Sequence, residues 1–264
     1  MLGCGACALV LAWPLAAPAQ PRDVIDTDGP DFVESTEVVG RGRWQFETGP
    51  YVQDDLRHDT VHRLISTPLL LKFGTSDEFE VRLETDGRVW ASSFTPAGSS
   101  ISGLHSTADT AIGVKWHSHD RQPGQGAPAI AWIAHVEIPS GSRNERGSGL
   151  RPSLRSVIGL DLPYNLSLGL MPGIKLETQP DGRRFTSGIL GVVLGKWWSD
   201  RFRTFLESSA IQIAHQQSGG VILYNDIGAA YLLTNSWQVG ARAGWAANRN
   251  TPSRYVLVSI AARF

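Results

Sequence analysis

From Gly42 to the C-terminal Phe264 the chain alternates apolar with polar or charged residues, in segments of roughly ten residues parted by turn-forming stretches. A β-strand points successive side chains to opposite faces, so each segment carries one greasy face and one wet face. Glu78–Val89 is the clearest case. Phe79, Val81, Leu83 and Thr85 fall on one side, and Glu80, Arg82, Glu84, Asp86 and Arg88 on the other. The same period sets Trp44, Phe46 and Thr48 against Arg43, Gln45 and Glu47, and Ile130, Trp132, Ala134 and Val136 against Ala131, Ile133, His135 and Glu137. The segment near Ile189–Leu194 is apolar on both faces, so its direction stays unassigned.

Twelve strands are expected, at 42–52, 62–74, 78–90, 105–117, 127–138, 150–162, 166–178, 185–197, 201–213, 220–233, 237–247 and 254–264. Their connections alternate in length. Thr75-Ser76-Asp77, Pro163-Tyr164-Asn165, Trp198-Ser199-Asp200 and Thr234-Asn235-Ser236 are tight turns, whereas 53–61, 91–104, 139–149, 179–184, 214–219 and 248–253 read as mostly longer loops. The stretch 118–126 is long where a short turn is expected.

A soluble β-sandwich also alternates, with its apolar face inward. Three features favour an antiparallel transmembrane β-barrel with short periplasmic turns and longer extracellular loops. Uniform strands of about 9–11 residues cross a bilayer when tilted, whereas sandwich strands are shorter. Trp44, Phe73, Phe79, Trp116, Trp197, Phe202, Trp237 and Phe264 gather at the short-turn side, and Tyr51, Trp90 and Trp245 at the other, as two interfacial girdles require. The chain ends in a strand closing on Phe264, which resembles the C-terminal signal of bacterial outer-membrane barrels read by the barrel assembly machinery.

Three regions follow. Residues 1–19 read as a signal peptide, with an apolar core and an Ala17-Pro18-Ala19 cleavage site. Residues 20–41 form an extended acidic segment, and 42–264 form the barrel. Cys4 and Cys7 both lie in the leader, so the mature chain has no disulfide or thiolate site. With 24 basic against 25 acidic residues, the charge gives no case for nucleic-acid binding.

Ile25–Ser35, with Thr27, Asp28, Pro30, Asp31, Glu34 and Ser35, followed by Gly40–Glu47, Leu69–Gly74 and Thr75–Arg82, resembles the opening of a family of outer-membrane proteins. That family is named for the meta-cleavage pathway of phenol degradation. The resemblance implies a barrel channel for passive uptake of small aromatic or hydrophobic solutes. Gly29 stands where the family usually has a basic residue.

The wet faces put Arg43, Arg82, Arg88, Lys115, Arg155, Lys175, Arg203 and Arg242 in the lumen. Glu47, Glu80, Glu84, Asp86, His135, Glu137 and Glu207 face them. Both signs occur together, whereas an ion-selective pore carries a ring of one sign. Cross-pairing in a narrow lumen is expected, and the acids of Ile25–Ser35 suit a partial plug against the arginines.

Enzymatic and metal sites are not expected. His105 and Ser106 are adjacent on a strand, point to opposite faces, and cannot form a nucleophile–base pair. His117-Ser118-His119-Asp120 and His58-Asp59 with His62 lack a recognised metal-ligand spacing. Gly141–Gly149 lacks the Gly-Lys-Ser/Thr of a phosphate loop. No cofactor is implied; the expected partners are the bilayer, small solutes and the assembly machinery. Two alternatives stay open: a closed structural or loop-binding barrel, and a soluble ligand-binding sandwich.

Overall fold

The computed structural model describes residues 23–57, 59–95, 100–120, 127–179 and 181–264; the leader expected at 1–19 lies outside them. The chain forms β1 (Trp44–Thr48), β2 (Tyr51–Arg57), β3 (Thr60–Ser66), β4 (Leu69–Gly74), β5 (Phe79–Thr85), β6 (Arg88–Phe94), β7 (Ser100–Thr107), β8 (Thr110–His119), β9 (Ala129–Ile138), β10 (Arg151–Leu162), β11 (Leu166–Thr178), β12 (Arg184–Trp197), β13 (Phe202–Ile213), β14 (Ile222–Thr234), β15 (Trp237–Ala246) and β16 (Arg254–Arg263). Every pairing is antiparallel, and β1 pairs with β16 from Gln45–Arg263 to Thr48–Ile260. The first eight segments are the halves of four crossings, so twelve strands close into one barrel. In lipid each backbone N–H and C=O must be bonded internally, which a closed barrel achieves.

The four crossings are halved at Gly49-Pro50, Thr67-Pro68, Asp86-Gly87 and Ala108-Asp109, and a proline or a glycine accounts for the first three. Proline has no N–H to give a ladder. Gly87 sits at φ +68°, a left-handed conformation that side chains disfavour. Past the breaks, β2, β3, β6 and β7 form a second tier. It joins the rest through the pairing of Tyr51–Asp54 with Arg254–Leu257. Within this tier β7 pairs only with β6, so its other edge carries no strand partner among the described residues. The 139–149 loop covers part of that edge, where the Ser142 N–H donates to the Thr107 carbonyl at 2.9 Å.

The second tier corrects several expectations. Strands run through much of 53–61 and 91–104, which the sequence reads as loops. The break at Asp86-Gly87 reverses the alternation: Val89 turns inward and is 3 % exposed, while Arg88 is exposed on the other face. Arg88 therefore does not line the lumen. Tyr51 is not a girdle residue either. It lines an inner cavity and lies 5.3 Å, centroid to centroid, from Tyr255.

The outer face is apolar, with Phe79, Val81, Leu83, Ile112, Val114 and Trp132 among its exposed side chains. At the short-turn end, cross-strand aromatic pairs Trp44–Phe73, Phe79–Trp116 and Trp237–Phe264 sit 4.6, 5.8 and 6.2 Å apart. Paired rings of this kind add about 0.5–1.5 kcal/mol each beyond their buried area. The direction of Ile189–Leu194 is now assigned: Val193 faces in, and Leu190, Val192 and Leu194 face out.

Candidate functional site in the barrel lumen

Residues 23–43 make an excursion into the barrel from the short-turn end and return to it. Near the entry, the Ile25 N–H donates to the Asn235 carbonyl at 2.7 Å. On the way out, the Gly42 N–H donates to Gly74 at 2.8 Å and the Arg41 N–H to the Asp77 carboxylate at 3.3 Å. Between them, Phe32 and Val33 reach the Glu207 side chain on β13.

Two sets of wall residues hold this path. Wall carboxylates take its backbone N–H groups: Glu47 accepts from Asp28 and Gly29 at 3.1 and 2.9 Å, Glu207 from Phe32 and Val33 at 2.8 and 2.7 Å, and Glu80 from Val39 at 2.9 Å. Wall cations take its acids. Asp28 pairs with Lys115 at 2.6 Å, Lys72 at 2.9 Å and Arg82 at 3.1 Å. Glu34 bridges Arg82 and Arg155, the latter at 2.8 Å, and Asp31 meets Arg203 at 2.7 Å. Charge-assisted hydrogen bonds in a low-dielectric interior are the strong kind.

The electrostatics follow from burial and these partners. Burial alone raises the Asp28 carboxyl, but Lys115, Lys72 and Arg82 override it and hold it well below the usual carboxylate range. Glu34 is likewise raised by burial and lowered more by Arg82 and Arg155, to about 2. At Asp31 burial wins over Arg203, with Glu207 adding repulsion, and its carboxyl rises to about 6.

The remaining motif residues shape the excursion. The Thr27 hydroxyl donates to the Gly29 carbonyl at 2.6 Å and accepts from Gln238. The Gly29-Pro30 peptide is cis. The Ser35 N–H donates back to Asp28 at 3.1 Å, and its carbonyl accepts from Lys115 at 3.0 Å.

The predicted wall residues separate into groups. Glu47, Glu80, Arg82, Lys115, Arg155, Arg203 and Glu207 contact the excursion directly. Arg242 reaches it through Glu207, at 2.9 Å. Glu137 and Lys175 pair with each other at 3.2 Å, and Glu137 also meets Arg151 at 2.6 Å, nearer the long-loop end. His135 accepts from Arg155 at 2.8 Å through Nδ1. Arg43 is an exposed rim residue, paired with Asp23 at 2.6 Å. Glu84 and Asp86 line two inner cavities.

Lys72 escaped the sequence reading because Leu69–Gly74 reads as an apolar run, although Lys72 sits on the inward phase of that run, opposite Arg82 in register. An inner apolar seat also escaped it. Val33 packs with Ala131, Ile133, Val157, Met171, Val193 and Phe205, with Phe32 against the cluster. Inner apolar residues blur the in/out contrast that alternation relies on.

The excursion divides the lumen. A cavity of about 490 Å³ lies on its long-loop side, lined by Phe32, Tyr51, Leu64, Val89, Arg155 and Arg242 among others. A second of about 320 Å³ lies toward the short turns, lined by Ile25, Leu160, Trp197 and Leu232 among others. Asp31 and Glu34 border both.

A family model described as "Putative MetA-pathway of phenol degradation" matches residues 27–264. An outer membrane channel from Pseudomonas putida F1 is similar in structure at TM-score 0.66 and 9 % identity, covering 87 % of this chain and 98 % of that one. The KdgM porin, whose structure holds a disordered oligogalacturonate, aligns at TM-score 0.53 and 11 % identity, over 84 % of this chain and 99 % of its own. The β-domain of the Bordetella autotransporter BrkA aligns at TM-score 0.51 and 12 % identity, over 84 % and 98 %. At these identities the likeness is one of fold. No curated protein matches the chain by sequence.

Proposed function

The chain belongs to the MetA-pathway phenol-degradation family of barrel proteins, and from that premise we propose that it is an outer-membrane channel for passive passage of small, partly apolar solutes, aromatic ones included. The observation that carries this reading is the pair of lumen cavities, about 490 and 320 Å³, parted only by the N-terminal excursion inside a closed wall. Each volume suits a small molecule and not a polymer. The excursion acts as the constriction. Its acids neutralise the wall cations, so the lumen offers no ring of one sign to select ions. Export through the leader and recognition of the strand ending at Phe264 by the assembly machinery belong to the same reading.

The test is single-channel recording of the refolded mature chain and of a form lacking residues 20–35, with and without phenolic solutes. Steps that are altered by phenol and enlarged by the deletion are expected. Unchanged conductance on deletion removes the constriction. An inserted barrel silent in both forms favours a closed structural role.

A further inference from the structure

On β15, β16, β2 and β3 the outward face at the long-loop end carries one row of side chains in register: Trp245 opposite Arg254, Arg254 opposite Asp54, and Asp54 opposite Arg63. The neighbours Tyr255, Gln53 and Leu64 take the inward phase; Gln53 and Leu64 line the lumen cavity, and Tyr255 is buried. Both arginines grip one carboxylate. Arg63 donates to Asp54 through Nε at 2.7 Å and Nη2 at 3.0 Å, and Arg254 through Nε at 3.3 Å and Nη2 at 3.2 Å. Asp54 is 8 % exposed, yet 73 % of the Arg254 side chain and 38 % of the Arg63 side chain are open. The Phe94 ring backs the Arg63 guanidinium at 5.2 Å. The Nη1 group of each arginine makes no hydrogen bond among the described residues. The row lies at a bilayer interface. Arg254, Asp54 and Arg63 each stand about ten residues along their crossing from a short-turn girdle aromatic, Phe264, Trp44 and Phe73 in turn, the length that takes a tilted strand across the hydrocarbon. The next outward row toward the short turns, Val256, Val52 and Ile65, is wholly apolar.

A guanidinium on the lipid face is tolerated at the interface and not at mid-bilayer, so depth permits this row but does not account for it. Stability does not account for it either: exposed ion pairs contribute little, and a second arginine on one carboxylate adds like-charge repulsion. Two guanidiniums against one carboxylate leave one positive charge unbalanced. Asp54 fixes both forks in place, and such forks match the oxygens of a phosphate. We propose that this row binds a phosphorylated lipid of the outer leaflet, its phosphate on Arg63 and Arg254 and an acyl chain along Val256, Val52 and Ile65. The inference rests on the outer-membrane reading but concerns the outer wall, apart from the lumen and what passes through it.

The experiment uses the full mature barrel in detergent at neutral pH, with folding checked by heat-modifiable gel mobility. Native mass spectrometry follows binding of diphosphoryl lipid A and of the same lipid with both phosphates removed, with inorganic phosphate as competitor. Diphosphoryl lipid A is expected to bind at least about tenfold more tightly than the dephosphorylated form, the worth of one charge-assisted hydrogen bond. Arg254→Gln leaves Asp54 its two-point hold from Arg63, so the variant folds like the parent. It is expected to weaken diphosphoryl lipid A by about tenfold and to leave the dephosphorylated form unchanged. Arg183→Gln, at an exposed arginine paired with Asp181, is expected to bind like the parent. Equal binding of the two lipid forms overturns the proposal in favour of acyl-chain adsorption. Release of the lipid by inorganic phosphate at matching concentration overturns it in favour of a free-phosphate site. Unchanged affinity in Arg254→Gln, or an equal loss in Arg183→Gln, overturns the site itself. A barrel that conducts without telling the two lipids apart ends this inference and leaves the channel reading standing. One that tells them apart without conducting keeps the site and ends the channel reading.

Discussion

Asp28 is the residue on which the lumen's charges converge. It is 5 % exposed and faces three cations, Lys72, Lys115 and Arg82, from three strands. Removing one partner of a buried ion cluster costs about 3–5 kcal/mol, because the partners keep their desolvation penalty without the attraction. Asp28→Asn should therefore lower stability by about that amount, read as a lower urea midpoint for the folded band on a gel. Glu34 gives the pH dependence. Its folded-state value of about 2 lies below its ordinary 4.5, so it contributes stability above pH 4.5 and loses it as pH falls toward 2. Asp31 has the opposite sign: raised to about 6 from 3.8, it makes the fold less stable as pH rises through that window. A thermal midpoint followed from pH 7 to pH 3 should fall below about pH 4.5 in the parent. In Glu34→Gln that fall should be smaller.

At the scale of the element, the N-terminal excursion is a stretch without strand or helix that stays ordered inside a sheet. Its backbone donors go to Glu47, Glu80 and Glu207 in place of a ladder, which is how buried non-repetitive backbone avoids orphaned N–H groups. Two wall glycines make room for it. A Cβ on Gly240 would lie 2.7 Å from Pro30 Cγ, and one on Gly191 2.6 Å from Val33 Cγ2. Glycine inside a strand weakens it, and close approach of another chain segment is one reason to keep it. The Pro30 ring cannot swing aside as a flexible side chain can, so Gly240→Val should dislodge the excursion. Because both cysteines, Cys4 and Cys7, precede residue 20, a cysteine at Val33→Cys in a chain begun at residue 20 reports on this. Maleimide should label it slowly in the parent barrel and faster once Gly240→Val is added. Equal labelling rates would mean that the excursion does not depend on the gap.

For the whole molecule, the apolar surface faces outward and the charged network inward, the reverse of a soluble sandwich. Exposed Trp44, Trp116, Trp132, Trp237 and Trp245 mark the outer face. In reconstituted bilayers, brominated lipids should quench much of the tryptophan fluorescence, and aqueous iodide little of it. The reverse pattern would place the apolar face elsewhere. The folded barrel should also migrate faster than the boiled chain in cold detergent gels, since the wall closes through β1 and β16.

Strand length, the two aromatic girdles and the closing Phe264 determined the class, and the period-two pattern by itself the twelve crossings and the facing of most wall residues, because a strand's alternation is local and needs no knowledge of its neighbours. Glu80, Arg82, Lys115 and Glu207 were legible for that reason. What lay beyond the sequence depended on breaks and long-range approach. Arg88 turned outward because Gly87 reverses the alternation one residue earlier. Lys72 was hidden by its apolar neighbours, and the inner apolar seat of Val33 by residues that look lipid-facing. The partners of Asp28, Asp31 and Glu34 lie on β4, β5, β8, β10 and β13. Which acid meets which cation is decided only when the closed wall brings distant strands around the excursion, since Coulomb pairing in a low-dielectric lumen depends on distances that sequence order does not encode.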